Sequence, residues 1–161
     1  MPHDGSAPEL AAGVIIDETF PADFRWVRRW LQRSNDRLVD EGVSEDDLHS
    51  VEIVLAEALN NVVEHAYPEG KTGEMRLLIR KRNSALMVEI SDRGRPMPQG
   101  RAPLGNHPMT EFNQHDAMPE GGYGWFIIRE IVRDLVYDRR DDQNILLFRL
   151  KLSTRLADTT E

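Results

Sequence analysis

The chain lacks cysteine altogether, which excludes disulfide bonds and thiolate metal sites. It also lacks an apolar run of the roughly 20 residues that a membrane-spanning helix needs. Basic residues are in the minority, with 20 Lys and Arg against 28 Asp and Glu and a formal net charge of −8. Nucleic-acid-binding proteins usually present a strongly basic surface, so this balance argues against that class. We therefore expect a cytoplasmic protein that meets small molecules or other proteins.

The periodic segments alternate between strand-like and helix-like patterns. Period-two alternation predicts strands at 13–20, 74–82, 84–91 and 144–152. Helical periodicity with start and stop signals predicts helices at 21–42, opened by Pro21, at 44–66, opened by Ser44, and at 124–137. Helices mixed with hairpin-linked strands favour an α+β fold, a two-layer sandwich in which helices cover a mixed, mostly antiparallel sheet.

One long segment, residues 95–121, is rich in proline and glycine and has no apolar period. A stretch of this length without regular structure is usually functional or disordered. The two ends of the chain, 1–12 and 154–161, are polar or small and are expected to be loose. The sequence thus predicts one domain over residues 13–153.

Polar side chains interrupt the second predicted helix in the stretch VLAEALNNVVEH, residues 54–65. Glu57 and Asn61 are four residues apart and share one face, with Asn60 beside them. The helix is apolar almost all round here, which predicts burial on more than one side. The polar stripe is either a solvated face or a pair of oxygen ligands facing a hydrated Mg²⁺ ion or a water.

Two glycine-containing stretches follow. In EISDRGRP, Asp92 ends a strand and could accept a hydrogen bond from an amino group, while Gly94 permits a tight turn. In EGGYGWFIIRE, Gly122 and Gly124 open an amphipathic helix, where backbone N–H groups and the helix dipole favour phosphate. Each stretch alone is equally compatible with an ordinary turn.

Taken in order, EALNN, DRG and GYG resemble the E-x-x-x-N, D-x-G and G-x-G boxes of the GHKL ATPase superfamily. The chain is most similar to its small anti-sigma-factor serine/threonine kinases, over about residues 14–152. The resemblance implies that ATP and Mg²⁺ are the cofactors. It also implies that Glu57 is the general base on, or orients, a serine hydroxyl of a protein substrate. Asn61 would bind Mg²⁺, with Asn60 beside it at the cofactor.

By the same resemblance, Asp92 would hold the adenine amino group and Gly94 would shape its pocket. Gly122 and Gly124 would let the helix approach the phosphates, and residues 95–121 would form the lid over ATP. Many superfamily members carry D-x-G-x-G, whereas Pro96 occupies the second glycine position here. Proline fixes φ and lacks the backbone N–H donor, so this lid is expected to begin differently from lids that have glycine at this position.

The implied function is a partner-switching kinase that phosphorylates an anti-anti-sigma STAS-domain protein and sequesters a sigma factor, with a homodimer as the family's usual assembly. Two alternatives stay open: a sequestration module that binds nucleotide without catalysis, and the catalytic domain of a histidine kinase. The first helix adds an arginine cluster, Arg25, Arg28, Arg29 and Arg33, interleaved with Trp26 and Trp30. It is either a solvated face over core tryptophans or a docking face for an acidic partner.

Overall fold

The computed structural model describes residues 13–105 and 123–153. Its centre is a five-stranded sheet in the order β1-β2-β3-β5-β4, and all four strand pairings are antiparallel. The strands are β1 Val14–Pro21, β2 Glu74–Arg82, β3 Ala85–Asp92, β4 Arg133–Arg140 and β5 Gln143–Lys151. The predicted loose ends, most of the predicted lid (106–121) and Gly122 lie outside the described residues.

Three helices form the second layer: α1 Phe24–Asp40, α2 Glu45–Asn61 and α3 Tyr123–Ile131. The α2 helix lies between the other two and widens at its end into a π-helical turn, Val62–Ala66. A short 3-10 turn, Pro98–Gly100, follows β3. Two-sided packing of α2 confirms the prediction drawn from its nearly continuous apolar surface. In the part of the chain described, no helix combines the length and apolar character needed to cross a membrane.

The core lies between the sheet and the helices, on the faces that the alternation predicted. Side chains at every second position of three adjacent strands are at most 4% exposed: Leu77, Ile79, Leu86, Val88, Ile90, Leu146, Phe148 and Leu150. From the helical layer, Val54, Leu55 and Leu59 pack against them with at most 1% exposure. The predicted two-layer α+β sandwich is therefore confirmed.

The start of α1 differs from the prediction. Pro21 is the last residue of β1 and does not open the helix, which begins at Phe24. The Asp23 side chain accepts a hydrogen bond of 2.7 Å from the Arg25 N–H and so caps the helix. An aspartate at this position satisfies one of the N–H groups that have no partner inside the helix, which decides the boundary.

Ser44 caps α2 as predicted. Its Oγ accepts from the Asp47 N–H at 3.2 Å and lies 2.8 Å from the Asp47 carboxylate. We expect Ser44→Ala to lower the free energy of unfolding by about 1 kcal/mol, because a helix N–H loses its acceptor. Urea unfolding measures this change. Ser50→Ala, the same substitution within the helix, is the control, and equal stability of the two variants would contradict the capping role.

The third predicted helix is only partly correct. The helix ends at Ile131, and residues 133–137 belong to β4, which the sequence reasoning missed. Asp134 adopts a positive φ of 55°, where the register between β4 and β5 shifts. Leu135 and Val136, expected on a buried helical face, lie on β4, and Val136 is 50% exposed. Pairing with the distant β5 therefore overrides a local pattern that fits a helix equally well.

Candidate nucleotide site

A cavity of about 450 Å³ opens between α2, the π-helical turn, the start of α3 and the β4–β5 hairpin. Most of its lining is apolar and comes from Ala58, Val62, Ala66, Pro96, Met97, Pro98, Pro103 and Trp125. Polar groups reach it from Asn61, His65, Asp92, Arg95, Tyr137 and Asn144. A concave apolar site with few convergent polar groups is the usual form of a small-molecule pocket.

Asp92 lies at the base of this cavity because it continues the inward-facing alternation of β3. The residue is 7% exposed, and its Oδ1 accepts bonds of 2.8 Å from the Gly94 N–H and 2.8 Å from Asn144 Nδ2. Burial raises the pKa of the Asp92 carboxyl, while these two hydrogen bonds and the charge of Arg139 oppose the rise. Within the described chain, both donors reach Oδ1, so Oδ2 is available to a ligand.

Gly94 permits close contact between the turn after β3 and the π-helical turn. A Cβ at this position would overlap the backbone carbonyl and the Cβ of Ala66. The same carbonyl accepts a hydrogen bond of 2.9 Å from the Arg95 N–H. Backbone atoms cannot move aside as a flexible side chain can, so only glycine fits here.

Next to Asn61, which lines the cavity, the structure brings together Glu57 and Gly124, which are not part of the lining. A Cβ on Gly124 would overlap Glu57 Oε2 and would lie 3.9 Å from Asn61 Nδ2. Asn61 Nδ2 is buried and has no hydrogen-bond partner. The carboxylate, the amide and the first turn of α3 are thus direct neighbours, although they come from distant parts of the sequence.

Asn60, also predicted to bind the cofactor, does not lie at this cavity. It lines a separate groove between α1 and α2, together with Asn35, Glu52 and Ile53. One residue along a helix turns the side chain by about 100°, which directs Asn60 away from the Asn61 face. Gly122 lies outside the described residues, so the structure does not place it.

The described residues contain no group of three or more His, Asp or Glu side chains that could enclose a metal. A Mg²⁺ ion does not require such a group, because it often takes one or two protein oxygens and completes its shell with phosphate and water. Rotation of the Asn61 amide would direct its oxygen to the buried, unpartnered position. The residues present therefore fit a metal held mainly by a bound nucleotide.

Two polar residues of the cavity, Asn144 and Tyr137, were not predicted. Asn144 is 5% exposed and lies opposite Asp92 in the register of β3 and β5. A signal for it existed, since Asn144 is in phase with the apolar face of Leu146 and Phe148 and is polar nonetheless. Tyr137 carried no comparable signal, because its strand had been assigned to a helix.

The tryptophans of α1 have different surroundings. Trp30 is 2% exposed, stacks on Phe20 at 6.0 Å between ring centroids, and donates a bond of 2.8 Å to Glu18. Trp26 is 39% exposed and lies under the Arg29 guanidinium. Of the two interpretations of this helix, core tryptophans under a solvated arginine face fit Trp30 but not Trp26.

Residues 20–150 match the family described as the histidine kinase-like ATPase domain. The chain belongs to this family. This match confirms the resemblance drawn from the three boxes. Several relatives of this ATPase-family domain are named as kinases. It is 30% identical over 116 residues to the serine-protein kinase RsbW of Halalkalibacterium halodurans, covering 71% of this chain and 68% of that protein.

Two further relatives are matched over shorter regions. The identity is 33% to the serine/threonine-protein kinase BtrW of Bordetella bronchiseptica and 27% to the serine-protein kinase RsbW of Bacillus subtilis. The ATPase-family domain spans 61% and 59% of these two proteins, respectively. A Mycobacterium tuberculosis crystal structure with RsbU and RsbW domains superposes with a TM-score of 0.54, over 86% of this chain and 33% of that one, at 12% identity. This last likeness concerns the fold alone.

Proposed function

We propose that the chain is a cytoplasmic, ATP- and Mg²⁺-dependent serine/threonine protein kinase of a partner-switching system. Its substrate would be an anti-anti-sigma STAS-domain protein, and a sigma factor would be the regulator that it sequesters. Relatives named as serine and serine/threonine kinases support the reaction type. The observation that carries the proposal is the placement of the Glu57 carboxylate against Gly124 and close to Asn61, which lines the same cavity as Asp92.

The deep end of the cavity suits a purine base. Its apolar walls would cover the faces of the ring, and Asp92 Oδ2 would accept a hydrogen bond from the adenine amino group. A buried carboxylate with one oxygen already occupied by two donors is held in a defined orientation. Such an acceptor favours an amino group over a keto oxygen, because two acceptors repel each other.

The shallow end suits the phosphates. The first turn of α3 begins at Tyr123, and the N–H groups and dipole of a helix N-terminus attract anions. Asn61 would hold the metal, and a bound Mg²⁺ ion neutralises phosphate charge during transfer. Gly124 keeps this end open, because any side chain there would meet the Glu57 carboxylate.

Glu57 would act on the protein substrate and not on the nucleotide. Its carboxylate would accept the proton of the serine hydroxyl, or orient that hydroxyl, as the oxygen attacks the terminal phosphate. The residue is only partly buried, which leaves it accessible to a second protein. Phosphoryl transfer depends mainly on positioning and charge neutralisation, and this arrangement provides both.

The test uses the whole chain with Mg²⁺. We expect calorimetry to detect ATP and ADP binding, and labelled ATP to transfer phosphate to a serine of the STAS-domain partner. A protein that binds no adenine nucleotide would contradict the entire proposal. Nucleotide binding without transfer to the genuine partner would contradict the kinase assignment and favour sequestration alone.

A further inference from the structure

Asn144 of the β4–β5 hairpin lies beside Asp92 at the cavity and holds it in place. Asn144 Nδ2 donates to Asp92 Oδ1 at 2.8 Å and to the carbonyl oxygen of Arg95 at 2.8 Å, and it lies 3.4 Å from the Gly94 carbonyl oxygen. At 5% exposure, Asn144 has almost no contact with water. One buried amide thus holds both the carboxylate and the start of the cavity wall.

The direction of the hydrogen bonds fixes the orientation of this amide. The backbone N–H of Met97 can only donate, and it lies 3.0 Å from the Tyr137 hydroxyl oxygen. The hydroxyl therefore gives its own proton to Asn144 Oδ1 at 2.7 Å, where Arg139 also donates at 2.6 Å. With Oδ1 facing two donors, Nδ2 must face Asp92.

This orientation has a consequence for the ligand. Asn144 and the Gly94 amide both donate to Oδ1 of Asp92, so Oδ2 is the oxygen that remains for a ligand. Burial raises the pKa of the Asp92 carboxyl and favours its protonated form, whereas the bond from Asn144 favours the ionised form. A protonated carboxyl could donate to a keto group, and an ionised one cannot.

We propose that Asn144 is a positioning residue that sets selectivity for 6-amino over 6-keto purine nucleotides by holding the Asp92 carboxylate in a fixed orientation, with Oδ2 directed to the ligand. The inference rests on the proposed nucleotide-binding function of the same cavity. It goes beyond that function, because it assigns base selectivity to the residue of β5 that pairs with Asp92.

The experiment compares ADP with inosine diphosphate, whose base has a 6-keto oxygen and an N1–H where adenine has a 6-amino group and an unprotonated N1. Calorimetry gives the dissociation constant of inosine diphosphate divided by that of ADP for wild type, Asn144→Leu and Gln143→Leu. Gln143 is the neighbouring residue on the same strand, so its substitution is a matched loss of an amide. We expect wild type and Gln143→Leu to share one ratio, and Asn144→Leu to lower it by roughly tenfold, the usual effect of a lost hydrogen bond to a charged group.

A purely structural role would weaken both nucleotides alike and leave the ratio unchanged, and that result would overturn the inference. If Asn144→Leu does not fold, Asn144→Ser carries the same test, because its small polar side chain leaves room for water. Wild type that binds neither nucleotide would instead refute the proposed function, so the two failures are distinguishable.

Discussion

Glu57→Gln is expected to reduce phosphorylation of the partner protein by roughly 10² to 10⁴-fold, the range typical of general acid–base groups. Glutamine keeps the size of the side chain and its place beside Gly124 but cannot take a proton from a serine hydroxyl. ATP affinity should stay nearly unchanged, because Glu57 does not line the cavity proposed for the base and would contact the serine of the substrate. Labelled-ATP transfer and calorimetry on the same protein measure the two quantities.

Glu69→Gln is the matched control, since Glu69 is an exposed glutamate in the turn after the π-helical segment. It should transfer phosphate at the wild-type rate. If Glu57→Gln also does so with the genuine partner, the carboxylate is not catalytic and the polar stripe on α2 is only a solvated face. If sequestration uses a separate surface, Glu57→Gln should still hold its target and behave as a locked inhibitor.

Asp92→Asn is expected to weaken ATP binding by roughly 10- to 100-fold, the cost of a hydrogen bond to a charged acceptor. The asparagine Oδ1 can still accept from the Gly94 N–H and from Asn144. Its Nδ2 replaces the free oxygen, however, and would oppose the amino group of adenine donor to donor. Calorimetry with ATP and Mg²⁺ measures the loss, and unchanged affinity would show that adenine is not held by this carboxylate.

The same substitution should not destabilise the fold at neutral pH. Burial raises the pKa of Asp92 in the folded state, so the folded protein favours the protonated carboxyl more than the unfolded chain does. The contribution of this group to stability is therefore greatest below the ordinary aspartate pKa of about 3.9 and is lost as the pH rises through the folded value. At pH 7, Asp92→Asn should be at least as stable as wild type, and the difference should shrink near pH 3.

Measuring nucleotide affinity and stability on the same Asp92→Asn variant separates an effect on binding from an effect on folding. A variant that loses nucleotide affinity while keeping or gaining stability cannot owe its defect to unfolding. A clear fall in the free energy of unfolding at pH 7 would mean that the charge of Asp92 stabilises the empty fold, for example through Arg139. Urea unfolding at the two pH values distinguishes these outcomes.

The site was predictable from the sequence to the extent that local patterns encode it. Helical spacing placed Glu57 and Asn61 on one face, and a rotation of about 100° explains why the adjacent Asn60 lies at a different groove. Strand alternation placed Asp92 in phase with Val88 and Ile90, on the inner face of the sheet. Each of these placements depends on the geometry of a single helix or strand.

Local sequence patterns were enough to predict the regular elements with clear periodicity, their buried faces and the three boxes. They were not enough to show that residues 133–140 form a strand or that Asn144 lies opposite Asp92, which depend on long-range pairing. The tertiary structure also decided that Gly124 meets Glu57. The physical reason is that strand pairing and helix packing join residues far apart in the chain. A short apolar run such as IVRDLVY satisfies helix and strand periods alike until a partner strand selects one.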